Sequence, residues 1–129
     1  MRVAVLFDGE QPGKTPDLLI RETVRAVEKE LVTLGYEPIR VPARPDGRWI
    51  ERIRTGKFEL VFNVCEGVDG IPHLEPAVAA TLECMGVPFT GCPSFTLEIC
   101  LRKHLVNALL ERQGLNVAPW TLVRKGAPL

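Results

Sequence analysis

The chain has 129 residues, enough for one domain with its own core, and its 46% hydrophobic and 25% charged residues are those of an ordinary folded protein. Lys+Arg and Asp+Glu stand at 16 each, which argues against nucleic-acid binding by bulk electrostatics. No apolar run reaches membrane-spanning length and Met1 to Glu10 lacks the apolar core of a secretion signal, so a soluble, cytoplasmic chain with no membrane or nucleic-acid partner is expected.

Arg2 to Phe7 reads as a short apolar strand ending at Asp8-Gly9. Glu10 to Lys14 follows as a loop broken by Pro12 and Gly13. Thr15 as N-cap, Pro16 at the first helical position and Asp17 at the positive end of the dipole then predict a helix. Ile20, Val24, Val27, Leu31 and Leu34 give it one apolar stripe, and Gly35 is placed to stop it. Tyr36 to Val41 reads as a second strand and Pro42 to Gly47 as a turn. A short helix is expected from Arg48 to Thr55, with Trp49, Ile50 and Ile53 facing inward.

Phe58 to Val64 is a third apolar run, of the kind buried on both faces of a sheet. It breaks into a polar loop holding Glu66-Gly67 and Asp69-Gly70. A helix from Leu74 to Met85 follows, stopped by Gly86, then a short strand and its exit over Val87 to Gly91. Pro93 and Ser94 open a helical region to about Gln113, with Leu97, Leu101, Leu105, Ala108 and Leu109 as its apolar face and Gly114 as its stop. Trp120 to Val123 is the last expected strand. This alternation predicts an α/β fold: a three-layer α/β/α open parallel sheet, in a single small domain. Ligands of such sheets bind at the carboxyl edge, where the charged loop after the third strand lies.

Cys65, Cys84, Cys92 and Cys100 include no C-x-x-C pair, so reduced and mostly buried thiols are expected. Cys100 and His104 are four apart on one expected helix, but two ligands do not make a zinc site, and no metal site is predicted. Strand one is not followed by G-x-G-x-x-G, the usual dinucleotide phosphate turn. Strand three ends Asn63-Val64-Cys65 without the aspartate that a phosphate-accepting receiver domain needs.

Met85-Gly86-Val87-Pro88-Phe89-Thr90-Gly91, Lys103, Gly114-Leu115 and Val117-Ala118-Pro119-Trp120 together carry a family resemblance. In pattern and spacing they are similar to the end of the N-terminal domain of D-alanine–D-alanine ligases and related ATP-grasp enzymes. The likeness covers about a third of the chain and extends weakly over strand one and the Glu66-Gly67 loop. It implies a Rossmann-like pre-ATP-grasp domain over residues 1–118, with 119–129 as an exit strand toward ATP-grasp domains expected to be missing here. It also implies an ATP-dependent, ADP-forming carboxylate–amine ligase that works through an acyl phosphate. ATP and magnesium would be held largely by the other domains of the complete enzyme. By that resemblance this chain carries no catalytic residue, binds no cofactor tightly and is inactive alone.

Residue by residue, the resemblance implies an ATP-phosphate contact for Lys103, although Arg102 stands where the family has aspartate. Glu66-Gly67 occupies the place of a His-Gly pair close to the substrate amino acid, where a carboxylate can hold an ammonium group. Glu10 is a further candidate substrate contact, although it comes earlier after Asp8-Gly9 than the family's glutamate does. Asp69-Gly70 is explained by turn formation alone. The implied partners are an amino-acid-like small molecule, the missing ATP-grasp domains and a second copy in a homodimer. Two other readings stand beside this one: a stand-alone small-ligand or nucleotide-binding module using the crevice beside Glu66, and a non-enzymatic assembly subunit.

Overall fold

A computed structural model describes residues 1–9, 18–123 and 126. Strand β1 (Arg2–Asp8) is the spine of a parallel three-stranded sheet of order β2-β1-β3, between β2 (Glu37–Ala43) and β3 (Leu60–Asn63). Val3 to Leu6 have no exposed surface, because a central strand is covered on both faces. Side chains alternate across the strand, which sorts the core into two halves. Val3 and Val5 face helix α1 (Leu18–Thr33) through Val24 and Leu31. Ala4 and Leu6 pack toward helices α2 (Arg48–Thr55) and α3 (Glu75–Met85) through Trp49, Ile53, Val78 and Leu82. Helices therefore cover both faces of the sheet, and the expected α/β/α layering holds.

Helix α1 stops as its glycine predicts. Gly35 takes φ 81°, Gly35 N–H donates to Val32 O (2.9 Å) and Tyr36 N–H to Leu31 O (2.9 Å), a Schellman closure. Leu34 lies past the helical turn and is 67% exposed, so it leaves the predicted stripe. The predicted cap residues Thr15, Pro16 and Asp17, and the candidate Glu10, lie outside the described residues. In α2, Trp49 and Ile53 are buried as expected, whereas Ile50 turns to solvent.

Strand β2 is the sheet edge. Its Glu37 N–H donates inward to Met1 O (3.0 Å), and alternation then turns the nitrogens of Pro38, Arg40 and Pro42 outward. On the other side the strand expected over Val87 to Gly91 is reduced to one parallel bridge, Phe89 against Val61. Val61 N–H donates to Pro88 O (2.9 Å) and Thr90 N–H to Val61 O (3.0 Å), while Pro88 has no N–H with which to extend the ladder.

The helical region after Pro93 is two helices, α4 (Ser94–Cys100) and α5 (Lys103–Arg112), broken at Leu101-Arg102. Cys100 and His104 thus sit on different helices. The carboxylate of Glu83 on α3 accepts Ser94 N–H (2.9 Å) and Ser94 Oγ–H (2.5 Å), tying α4 to α3 and holding the Glu83 carboxyl below its ordinary range. Leu101 and Leu105 are 42% exposed and Leu109 49%, so the predicted apolar face of α5 is not covered by the described residues. Trp120–Val123 form no strand; Trp120 Nε1 instead donates to Glu111 Oε1 (3.1 Å). Only Cys65 is buried. Cys84, Cys92 and Cys100 are exposed, on solvent-facing parts of α3, α4 and the segment joining them, which corrects the expectation of mostly buried thiols.

Candidate functional site

The carboxyl end of β3 is shaped by a series of short hydrogen bonds. Asn63 N–H donates to Thr90 Oγ1 (3.0 Å), anchoring the strand end to the neighbouring segment. Asn63 Oδ1 accepts Cys65 N–H (3.1 Å), the local closure that asparagine offers at the start of a loop. Cys65 then turns inward and its thiol donates to Gly67 O (2.8 Å). Burial pushes that thiol up to about 12, which leaves it protonated and unreactive.

Gly67 is fixed by packing. At φ 154° it lies so close to Ile71 that an added Cβ would meet Ile71 O at 2.5 Å. Val68 to Ile71 closes as a tight turn with Asp69 at φ 61° and Gly70 at φ 69°, and Ile71 N–H donates to Val68 O (3.1 Å). The two oxygens of Asp8, from the end of β1, accept Asp69 N–H and Gly70 N–H at 3.1 Å each. A 3-10 turn, Pro72–Leu74, then leads into α3 at Glu75.

Between this loop, the start of α1 and the start of α4 lies a cleft of about 340 Å³. Glu66 and Glu75 line it together, with Asn63 beneath them, Ile20 and Thr23 on the α1 wall and Leu97 on the α4 wall. Among the described residues, no lysine or arginine is in the lining. Partial burial, and then the neighbouring negative charge of Glu66, raise the Glu75 carboxyl above its ordinary range. Such a pocket attracts a small cation with an apolar portion and repels phosphate. Its donor set does not fit ATP phosphates, and among the described residues no three His, Cys, Asp or Glu side chains are grouped to hold a metal ion.

The predicted site residues separate accordingly. Glu66 is exposed in the cleft, and Gly67 is buried behind it as a packing residue. Lys103 is the first residue of α5, exposed, and is not among the residues lining the cleft. Glu75, the first residue of α3, is the second carboxylate of the cleft. The Asp8 clamp has no local signature at all, because it joins residues 61 and 62 positions apart.

The fold is an α/β domain with a cleft at the carboxyl edge of a parallel sheet, the edge at which such folds place their ligands. More particularly, the chain is similar over nearly its whole length to the N-terminal region of D-alanine–D-alanine ligases. The enzyme of that name from Glaesserella parasuis is 31% identical over 127 residues, covering 97% of this chain and 39% of that protein. That from Actinobacillus pleuropneumoniae serotype 5b is 29% identical over 125 residues, covering 97% and 39%. The Clostridium beijerinckii ligase is 28% identical over 94 residues, covering 60% and 31%. The crystal structure of D-alanine–D-alanine ligase from Bacillus anthracis superposes with a TM-score of 0.79 at 21% identity, over 100% of this chain and 40% of that one, and shows the shared fold. No family model matches the chain. The chain thus spans 31% to 39% of the length of these three relatives.

Proposed function

We propose that this chain is the N-terminal, substrate-side domain of an ATP-dependent carboxylate–amine ligase of the D-alanine–D-alanine ligase type. Its part in the reaction is to bind and orient an amino-acid-like substrate. The observation that carries this reading is the pairing of Glu66 and Glu75 in one cleft at the carboxyl edge of β3. Two carboxylates with no lysine or arginine beside them among the described residues favour an ammonium group, by Coulomb attraction strengthened where the site is partly desolvated. The similarity to ligases named for D-alanine supports an α-amino acid as the guest.

ATP and magnesium, implied by the resemblance, supply the phosphoryl chemistry of such a ligase, and the acidic lining of this cleft does not fit the phosphates of ATP. Lys103 is the residue of this chain offered for a phosphate contact, at the start of α5 and away from the cleft lining. With substrate orientation and phosphoryl transfer divided between parts of the enzyme, this part alone turns over nothing. The remaining ligase domains are the partners this reading requires, and a homodimer is compatible with it. A cytoplasmic location goes with it, since ATP is made and used there.

Calorimetric titration with D-alanine tests the reading. Weak binding that disappears in Glu66→Gln supports it. Equal binding by wild type and Glu66→Gln overturns it. Release of ADP by this chain with ATP, magnesium and D-alanine would favour a self-sufficient enzyme.

A further inference from the structure

Helix α1 separates the acidic cleft from a second cleft of opposite charge. Ile20 and Thr23 look into the first, whereas Arg21, Val24 and Arg25 line the second, of about 350 Å³. The far wall of the second cleft is the edge strand, with Arg40 and Pro42 on β2 and Arg44 just after it, and Phe7 at the end of β1 also lines it. Four arginines in one concavity is a marked local excess in a chain of zero net charge.

Glu28 neutralises Arg40, accepting from its Nε at 2.6 Å and from its Nη2. Neither Arg25 nor Arg44 makes an ion pair among the described residues, and these two carry the inference. They come from opposite walls. The stem of Arg44 passes over Gly9 so closely that a Cβ there would stand 2.6 Å from Arg44 Cγ, which fixes the direction of that side chain.

We propose that this cleft binds the diphosphate group of a small phosphorylated molecule. Guanidinium forks match phosphate oxygens in pairs, and the space is within the range of small-molecule sites. The apolar lining from Phe7, Val24 and Pro42 reduces competition from water. The site is independent of the amino-acid reading given to the Glu66 cleft.

Calorimetric titration of this chain with inorganic pyrophosphate at low salt tests it, with ADP and citrate as parallel titrants. Pyrophosphate is expected to bind, to weaken about tenfold in Arg25→Gln and again in Arg44→Gln, and to weaken with added salt. Glu66→Gln should leave that affinity unchanged. Tighter binding of ADP than of pyrophosphate would identify a nucleoside diphosphate as the source of the group, and equal binding would identify the free diphosphate. No heat with pyrophosphate, the same affinity in the Arg25→Gln/Arg44→Gln double variant, loss of affinity in Glu66→Gln, or citrate binding as tightly as pyrophosphate would each overturn the proposal. Both arginines are exposed, so the variants are expected to fold, and circular dichroism checks this.

Discussion

The carboxylate of Asp8 and the backbone N–H of Gly70 stand 3.1 Å apart, joined across 62 positions of chain. The second oxygen of Asp8 takes Asp69 N–H at the same distance, so a single side chain at the end of β1 sets the turn that follows Glu66. Removing that acceptor pair leaves two N–H groups without their partner. Asp8→Ala is therefore expected to lower stability by about 2 kcal/mol, with Asp8→Asn between it and wild type. Urea denaturation measures both. Amide exchange at Asp69 and Gly70 should speed up in the alanine variant.

Gly67 and Gly86 offer a graded pair. Gly86 takes φ 64° after α3 with open space where a Cβ would go, so Gly86→Ala meets only conformational strain of about 1 kcal/mol. Gly67→Ala adds a backbone collision with Ile71 O and is expected to cost more than 2 kcal/mol. Comparing the two denaturation midpoints checks the order. A smaller loss in Gly67→Ala would mean that the Glu66 loop is not held against Ile71.

Thiol chemistry should read the fold directly. The chain has four cysteines, of which Cys84, Cys92 and Cys100 are exposed and Cys65 is buried with its thiol raised to about 12. Treatment of the native protein with iodoacetamide is expected to add three labels, and treatment in denaturant four. Mass spectrometry of the peptide containing Cys65 makes the assignment.

The paired carboxylates of the cleft predict a dependence on pH. Because the folded state holds the Glu75 proton more tightly than the unfolded chain does, this group's contribution is complete below the ordinary glutamate range. It is lost as pH rises through the raised value. In Glu66→Gln the Glu75 carboxyl should titrate lower and the decline should shrink, since one of its two causes is gone. Carboxyl-carbon NMR titration of Glu75 in both proteins tests the sign, and an unchanged Glu75 titration would count against the pairing.

The elements that could be read from the chain are those whose signals are local. The Arg2 to Phe7 run, the Gly35 and Gly86 stops and the Asp69-Gly70 turn carry their own punctuation, and each appears where expected. The stripe Leu101, Leu105, Leu109 reads as a buried face by spacing, yet spacing reports only that one side is apolar and not that a neighbour covers it. Likewise Val87 to Gly91 has strand composition, but Pro88 limits it to one bridge. Of the site, Glu66 was legible from its place after a buried strand. Glu75, the Asp8 clamp and the arginine cleft depend on chain crossings that no window of sequence contains.

Among the described residues no strand pairs with the outer side of β2. Of its three outward-turned nitrogens, those of Pro38 and Pro42 carry no hydrogen, so an incoming strand would find only Arg40 able to donate. This border is therefore a poor template for a further strand, which disfavours edge-to-edge growth of the sheet between neighbouring molecules.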